Sequence, residues 1–148
     1  MIVGIVGSEA AKFTRLGEQE SRRRIRRLLK KEGVTEVVSG ACHLGGIDIW
    51  AVEEARKLGI EVTEYPPEKH SWEFYRKRNI QIAKRAHKVL CFTVRTLPKN
   101  FRRRGWEGFC YHCQTTKHIK SGGCWTTKYA RRLGKIGVTL VVDNYKKD

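Results

Sequence analysis

"VVSGACHLGGIDIWAVEEARKLGIEV", residues 37–62, is the segment that identifies the fold class. Its two ends are short β-branched runs, and between them apolar residues recur at helical spacing, which predicts a strand, a helix and a second strand. Gly59 directly follows the periodic segment and is a typical helix stop. A strand–helix–strand unit of this length is the building block of a parallel sheet with right-handed crossovers.

The same alternation continues through the rest of the chain. It predicts strands at 2–7, 35–41, 60–67, 88–94 and 137–143, and helices at 15–33, 45–59, 71–87 and 123–135. Residues 95–121 show no periodicity and form an insert. We therefore predict one domain over 1–148 with a three-layer, Rossmann-like α/β fold, in which helices cover both faces of a five-stranded, mainly parallel sheet. The insert precedes the last helix, and ligands of such sheets bind at the carboxyl ends of the strands.

The composition constrains the class of partner. The chain carries 31 Lys and Arg against 15 Asp and Glu, a formal charge of +16, which predicts an anionic partner such as nucleic acid, a nucleotide or an acidic protein. A hydrophobic content of 40% with four Trp excludes an intrinsically disordered chain. The sequence contains neither an apolar run of membrane-spanning length nor a signal-like N-terminus, so we expect a cytoplasmic protein without membrane contact.

Three motifs together resemble those of the SMF/LOG (SLOG) superfamily, which includes the DNA-processing protein A family and the Lonely Guy cytokinin-activating phosphoribohydrolases. "SGACHLGGID" with its following Ala and Gly residues resembles the signature "SGGAxGID…A…A…G". "YRKRNIQIAKRAHKVLCF" resembles the helix–strand unit "RN…I…AD.V". "SGGCWTTKYARRLGK" resembles the last phosphate-binding turn, which reads "PGGxGTxxE" in the Lonely Guy enzymes.

The resemblance implies a pocket for a nucleotide or nucleotide derivative at the strand-end loops. The residues that it places there are Gly7, Ser8, Ser39, Gly40, Arg78, Asn79, Gly122, Gly123 and Thr126. Arg78 offers a planar fork for a phosphate, although a surface arginine is the structural alternative. Thr126 can cap the last helix and donate to an oxyanion. Asp48 is expected to cap the second helix.

The match to the hydrolase motif is incomplete. Tyr129 stands where the Lonely Guy enzymes have the catalytic glutamate, so ligand binding without hydrolysis is the main prediction. A phosphoribohydrolase-like enzyme is an alternative, in which Glu53 or Glu54 would have to supply the missing carboxylate.

A Cys/His pattern in the insert predicts a structural zinc site. Cys110, Cys113, His118 and Cys124 have the spacing C-x2-C-x4-H-x5-C, which resembles a zinc knuckle with one extra residue. Three thiolates and one imidazole suit tetrahedral zinc. Two alternatives stay open: His112 in place of His118 as the ligand, and free buried thiols without metal. Cys42 and Cys91 are expected to be packed residues outside the site.

Nucleic-acid binding is the second functional hypothesis, because basic residues interleaved with aromatics suit single strands. The expected contacts are Arg23, Arg24, Arg27, Arg102, Arg103, Arg104 and Trp106. The aromatics of the insert could equally form a small core of their own. The resemblance also allows a homo-oligomer, since many members of the superfamily assemble.

Overall fold

The structure of the chain is a computed structural model that describes residues 1–31, 33–102 and 107–146. The strands are β1 (Ile2–Gly7), β2 (Glu36–Ser39), β3 (Glu61–Glu64), β4 (Lys88–Val94) and β5 (Ile136–Val142). The helices are α1 (Arg15–Lys31), α2 (Ile47–Lys57), α3 (Trp72–Arg85) and α4 (Gly123–Arg132), and a short 3-10 turn spans Ala10–Lys12. Each long element lies where its periodicity predicts it, and only the 3-10 turn was not anticipated.

The strands form one sheet in the order β3-β2-β1-β4-β5, and every pairing is parallel. The chain therefore builds outward from β1 to β3 on one side and then returns to add β4 and β5 on the other. The loops after β1 and β4 leave the sheet in opposite directions. The crevice between these two loops is where such folds bind ligands. The three-layer, Rossmann-like α/β architecture is confirmed, with an all-parallel sheet.

Two apolar layers cover the sheet because successive strand residues point to opposite faces. Ile5 and Phe92 pack with Ile25 of α1 and Ile47 of α2 on one face. On the other face a second buried cluster joins strand residues to α3 and α4, with Val6, Ile82, Val89, Cys91 and Ala130 among its members. Among the described residues no helix has the length and apolar character that crossing a bilayer requires.

The insert is tied to the sheet by a small number of polar contacts. The backbone amide of Ile119 donates to the carbonyl of Val94 at 2.9 Å, which extends the end of β4. Lys12 Nζ lies 3.0 Å from Glu107 Oε2, and both side chains are buried. The 3-10 turn thus positions a cation that anchors the insert. Arg103, Arg104 and Trp106 of the nucleic-acid hypothesis lie outside the described residues.

Candidate metal centre and strand-edge pocket

The structure gathers the four predicted metal ligands at one point. One ligand atom each from Cys110, Cys113, His118 and Cys124 lies within 4.8 Å of all the others. Cys110, His118 and Cys124 are buried, while Cys113 is the most accessible of the four. Two thiols and the imidazole come from the insert, and the last thiol comes from the first turn of α4. These residues form a ligand set that could hold a metal ion.

The first two cysteines lie on a tight turn, residues 110–115, which we call the metal turn. Its ends are paired by backbone hydrogen bonds, from Cys110 N to Thr115 O at 2.9 Å and from Thr115 N to Cys110 O at 3.3 Å. Gln114 has φ 53°, which lies in the left-handed region, and this conformation reverses the chain directly after Cys113. The turn thereby brings both thiols to one side.

Hydrogen bonding distinguishes His118 from His112 as the fourth ligand. His118 Nδ1 lies 3.0 Å from the carbonyl oxygen of Ile119, so Nδ1 carries the proton and donates. The neutral ring then presents Nε2 as a lone-pair donor, the arrangement that metal-binding histidines adopt in proteins. The ring of His112 lies 4.2 Å from that of Tyr111, and both side chains line the neighbouring cavity rather than the cluster.

The cluster strongly disfavours multiple thiolates unless a cation is present. Burial, together with the neighbouring Cys124 and Cys110, raises the pKa of Cys113 to about 12. The pKa of Cys124 is raised by hydrogen bonding to Cys91 and by burial, and the two Sγ atoms are 4.0 Å apart. A bound divalent cation reverses this preference because it pays for deprotonation with metal–thiolate bonds. Neither Cys42 nor Cys91 belongs to the cluster found among the described residues.

A cavity of about 320 Å³ lies beside the cluster, and we call it the strand-edge pocket. It is bounded by the end of β1, the loop before α2, the first turns of α3 and α4, and the metal turn. Its volume falls in the range of small-molecule sites. Six of the nine residues predicted to bind a ligand line it, namely Gly7, Arg78, Asn79, Gly122, Gly123 and Thr126.

The other three predicted residues are absent from the lining of the strand-edge pocket. Ser8 donates from its hydroxyl to Thr93 at 3.0 Å, and Ser39 donates to the backbone carbonyl of Asp48 at 3.0 Å. Gly40 lies behind Arg78, whose guanidinium donates to the Gly40 carbonyl. These residues support the site and do not face its interior.

Three polar atoms at the pocket are buried without a hydrogen-bond partner in the protein. They are Asp48 Oδ1, Arg78 Nε and Thr126 Oγ1. Asp48 is 5% exposed and Thr126 is 0% exposed, so bulk solvent does not satisfy them. Arg78 approaches Asp48 only loosely, with Nη1 3.9 Å from Oδ2. Since buried polar groups are almost always paired, three unpaired atoms at one cavity indicate that something else completes their bonding.

The electrostatics of Asp48 reflect this incomplete environment. Burial raises its pKa to about 6, although the Arg78 cation and nearby backbone amides oppose the shift. The sequence suggested Asp48 as a helix cap, because a carboxylate in a first helical turn usually has that role. The structure instead has Gly46 at the N-cap of α2 and no side-chain cap, with Asp48 inside the first turn. Its missing partners are visible only in three dimensions.

Several lining residues were not predicted from the sequence. Trp72 and Tyr75 come from the first turn of α3, and Tyr111, His112 and Lys120 come from the insert. Trp72 is 51% exposed and meets Trp125 edge-on at 5.4 Å. A residue in an aperiodic insert carries no signal of where it will pack, so the contributions of Tyr111, His112 and Lys120 could not be predicted from the sequence.

The arginines of α1 are largely engaged within the protein. Arg23 Nη2 pairs with Glu20 at 2.8 Å, and Arg24 donates to the carbonyl of Val141 at 2.9 Å. Arg27 lies with Arg24 at a shallow depression beside β5, and Arg102 lies at another depression near Phe13. None of these four arginines lines the strand-edge pocket.

Comparison of the chain with protein-family models, with curated proteins and with solved structures finds no match. What the two sites can do therefore follows from their own geometry and chemistry.

Proposed function

We propose that the protein binds a phosphate-bearing small molecule of the nucleotide class in the strand-edge pocket, and that the Cys/His cluster holds a structural zinc ion. The observation that carries the first proposal is the trio of unpartnered buried atoms on Asp48, Arg78 and Thr126. A carboxylate accepts from hydroxyl or amino groups, while a guanidinium and a hydroxyl donate to an anion. A ligand that combines an anionic group with hydroxyls or ring amines satisfies all three.

The phosphate end is assigned to the N-terminus of α4. The dipole of a helix attracts anions to its N-terminus. At α4 the amides of Gly123 and Cys124 already donate to Ser121, at 3.2 and 3.1 Å, so the dipole and not a free amide supports the assignment. A Cβ on Gly122 would meet no protein atom within 4 Å, so packing does not require glycine there and the space beside it is open to a ligand. A Cβ on Gly123 would lie 2.7 Å from Cys91 Sγ, so packing alone requires that glycine. Thr126 does not cap this helix, whose N-cap is Gly122, but it lies one turn into it and adds a buried hydroxyl.

The ring end is assigned to the aromatic walls. Trp72 and Tyr75 line the pocket from α3, and Tyr111 and His112 line it from the metal turn. Flat, amphipathic side chains of this kind favour a planar heterocycle, to which they offer stacking faces. Asp48 is the carboxylate among the lining residues and is suited to ribose hydroxyls or an exocyclic amine.

The pocket supports binding more than N-glycosidic hydrolysis. Tyr129, which replaces the Lonely Guy glutamate, stacks on Trp125 with ring centres 5.3 Å apart and planes at 11°. Glu53 and Glu54 bind Arg22 at 2.8 Å each and lie away from the pocket. Neither can replace the missing carboxylate. Release of free base from any nucleoside monophosphate by the purified protein would instead support the enzyme alternative.

The binding proposal is tested by calorimetric titration of zinc-loaded protein with the 5′-mono- and diphosphates of adenosine, guanosine, cytidine and uridine. We expect at least one to bind, and Arg78→Ala to abolish that binding because Arg78 faces the pocket. Arg76→Ala is the matched control, since Arg76 is an exposed arginine on the same helix and is not among the lining residues. The proposal is wrong if no nucleotide gives a heat of binding, or if Arg78→Ala and Arg76→Ala bind the nucleotide with equal affinity.

The zinc proposal follows from the ligand types, since soft thiolates with one imidazole select zinc over hard cations. We expect about one zinc per chain by elemental analysis, with loss of the metal in Cys113→Ser. Cys42→Ser is the control, because Cys42 lies outside the cluster. Metal-free wild-type protein with the same protease resistance in residues 95–127 would show that the spacing is accidental.

Single-stranded nucleic acid is a second candidate partner, favoured by one observation on the α3–α4 face. Trp72, Trp125 and Tyr129 form a contiguous aromatic strip there. No acidic residue occurs between positions 108 and 142, whereas Lys128 and Arg132 lie exposed on α4. A salt titration separates the candidates, because a polyanion releases several counterions and a mononucleotide cannot.

A further inference from the structure

The metal turn contributes ligands to the cluster and walls to the strand-edge pocket at the same time. Tyr111 and His112 are the two residues between Cys110 and Cys113, and both line the pocket. On the other side of the cluster, Cys124 is flanked by Gly123 and lies two residues before Thr126, which also line it. A metal ion bound to this cluster therefore bridges two parts of the pocket wall.

Cys110 is packed in the second apolar cluster, but among the described residues few other contacts outside the Cys/His cluster hold the metal turn in place. Within the turn the ordering contacts are the backbone pair between Cys110 and Thr115 and a bond from Lys117 N to Thr115 Oγ1 at 3.1 Å. Tyr111 is 57% exposed, so it contributes only modest apolar burial. A segment with few buried contacts opens at low free-energy cost unless a ligand or metal fixes it.

The walls from α3 are fixed independently of the metal. Asn79, Ile82 and Ala83 of that helix are buried against the sheet, and α3 carries none of the cluster's ligands. Removal of the metal should therefore loosen the Tyr111 and His112 wall and the first turn of α4, while the part of α3 that is buried against the sheet stays in place.

We propose that Tyr111 and His112 contact the planar part of the ligand, and that the metal positions them, so that metal and ligand bind with positive coupling. This rests on the proposed nucleotide-binding function. Lys120, whose Nζ lies 5.6 Å from the ring centre of Tyr111, belongs to the same wall. The backbone carbonyl of Lys120 accepts from Lys12 Nζ at 2.9 Å, which keeps this side of the wall attached to the fold.

The coupling is tested as a thermodynamic cycle on the full chain. The affinity for the nucleotide that binds best in the panel is measured with zinc-loaded and chelator-stripped protein. Zinc affinity is measured by competition with a chromophoric chelator, with and without that nucleotide. We expect both affinities to rise by the same factor, of about fivefold or more, because coupling between two sites is reciprocal. Equal nucleotide affinity of the two forms overturns the proposal.

Side-chain variants separate contact from mere folding of the insert. Tyr111→Ala and His112→Ala should each keep one zinc per chain and weaken the nucleotide by roughly fivefold or more, the usual size of a lost ring contact. Thr116→Ala is the matched control, since Thr116 is an exposed residue of the same insert that is not among the lining residues. Full affinity in both aromatic variants shows that the wall does not touch the ligand and overturns the proposal.

A third measurement distinguishes failure of the coupling from failure of the proposed function. If zinc-loaded protein binds no nucleotide, the nucleotide proposal fails. Hydrogen exchange then tests, without a nucleotide, whether the metal positions the pocket wall. Faster exchange at residues 110–115 and 121–126 after zinc removal, with unchanged exchange in α3, supports the positioning role. Exchange that is unchanged at 121–126 shows that the metal does not organise the pocket.

Discussion

Helix α2 buries two carboxylates six residues apart, and their surroundings are opposite. Glu54 is 0% exposed and receives Arg22 at 2.8 Å, Arg26 at 2.9 Å and Lys57 at 3.3 Å. Burial tends to raise the pKa of Glu54, but hydrogen bonds from these cations more than offset it, so the pKa lies below its usual value. Glu54 is a completed structural ion cluster.

Asp48 is nearly as buried as Glu54 but lacks such partners. Its Oδ1 has no hydrogen bond within the protein, its nearest cation is Arg78 at 3.9 Å, and its pKa is raised to about 6. The two residues share a helix and a charge, so the difference arises from position alone. A buried charge with a full set of partners has a structural role, whereas a partly partnered one at a cavity is a candidate for ligand contact.

The largest effect should come from Glu54→Gln, which keeps the shape and removes the charge. The change leaves Arg22 and Arg26 without their shared carboxylate, and loss of one partner of a buried pair is costly. Because those arginines keep partial solvent contact, we expect a loss of about 2–3 kcal/mol in the free energy of unfolding. Urea denaturation at pH 7.5 measures it, and nucleotide binding should be unaffected.

Asp48→Asn is the matched substitution at the other carboxylate and should act in the opposite direction. It removes a buried charge that Arg78 and nearby backbone amides compensate only in part, so we expect a gain of about 1–2 kcal/mol in the free energy of unfolding at pH 7.5. Nucleotide binding should weaken at the same time, because Asn presents a different pattern of donors and acceptors. A loss of stability comparable to that of Glu54→Gln would show that Asp48 is structural.

The two carboxylates should also have opposite pH signatures. The folded pKa of Asp48, about 6, lies above its reference value of 3.8, so its contribution to stability falls as pH rises from about 4 to 6. The folded pKa of Glu54 lies below 4.5, so its contribution is present above that pH and is lost at lower pH. The difference between Asp48→Asn and wild type should therefore grow from pH 4 to pH 6, while that of Glu54→Gln should shrink below about pH 4.5. If the stability differences of both variants changed with pH in the same way, the two carboxylates would not differ in their electrostatic role.

The contrast also shows how far the sequence alone can lead. Helix α2, its flanking strands and the crossover order are local patterns of apolar spacing and glycine stops, so they could be predicted. The Cys/His spacing predicted the cluster for the same reason. The 3-10 turn at Ala10–Lys12 was missed because three residues contain no period.

The incomplete bonding of Asp48 could not be predicted, because it depends on Arg78, which follows 30 residues later in the chain. Arg78 Nη1 lies 3.9 Å from Asp48 Oδ2. The sequence favoured His118 as the metal ligand but left His112 as an alternative. They are separated by the carbonyl of Ile119, which fixes the His118 ring, and by the path of the metal turn, which places His112 at the pocket. Sequence patterns find elements and ligand sets, whereas unpaired atoms are properties of tertiary packing.

The smallest expected effect comes from a second matched pair, Thr126→Val and Thr127→Val in α4. Both threonines are 0% exposed, but Thr127 Oγ1 donates to the carbonyl of Cys124 at 2.9 Å while Thr126 Oγ1 has no partner. Valine has nearly the same shape, and any difference in helix propensity is common to both variants. Thr127→Val should lower the free energy of unfolding by about 0.5–1 kcal/mol, whereas Thr126→Val should leave it unchanged or raise it slightly.

Nucleotide affinity should respond in the reverse order: Thr126→Val should lower it roughly tenfold, the size of one hydrogen bond to a charged group, and Thr127→Val should not change it. Urea denaturation and calorimetry on the two proteins provide both numbers. Equal losses of stability together with equal affinities would show that the unpaired hydroxyl has no ligand to meet.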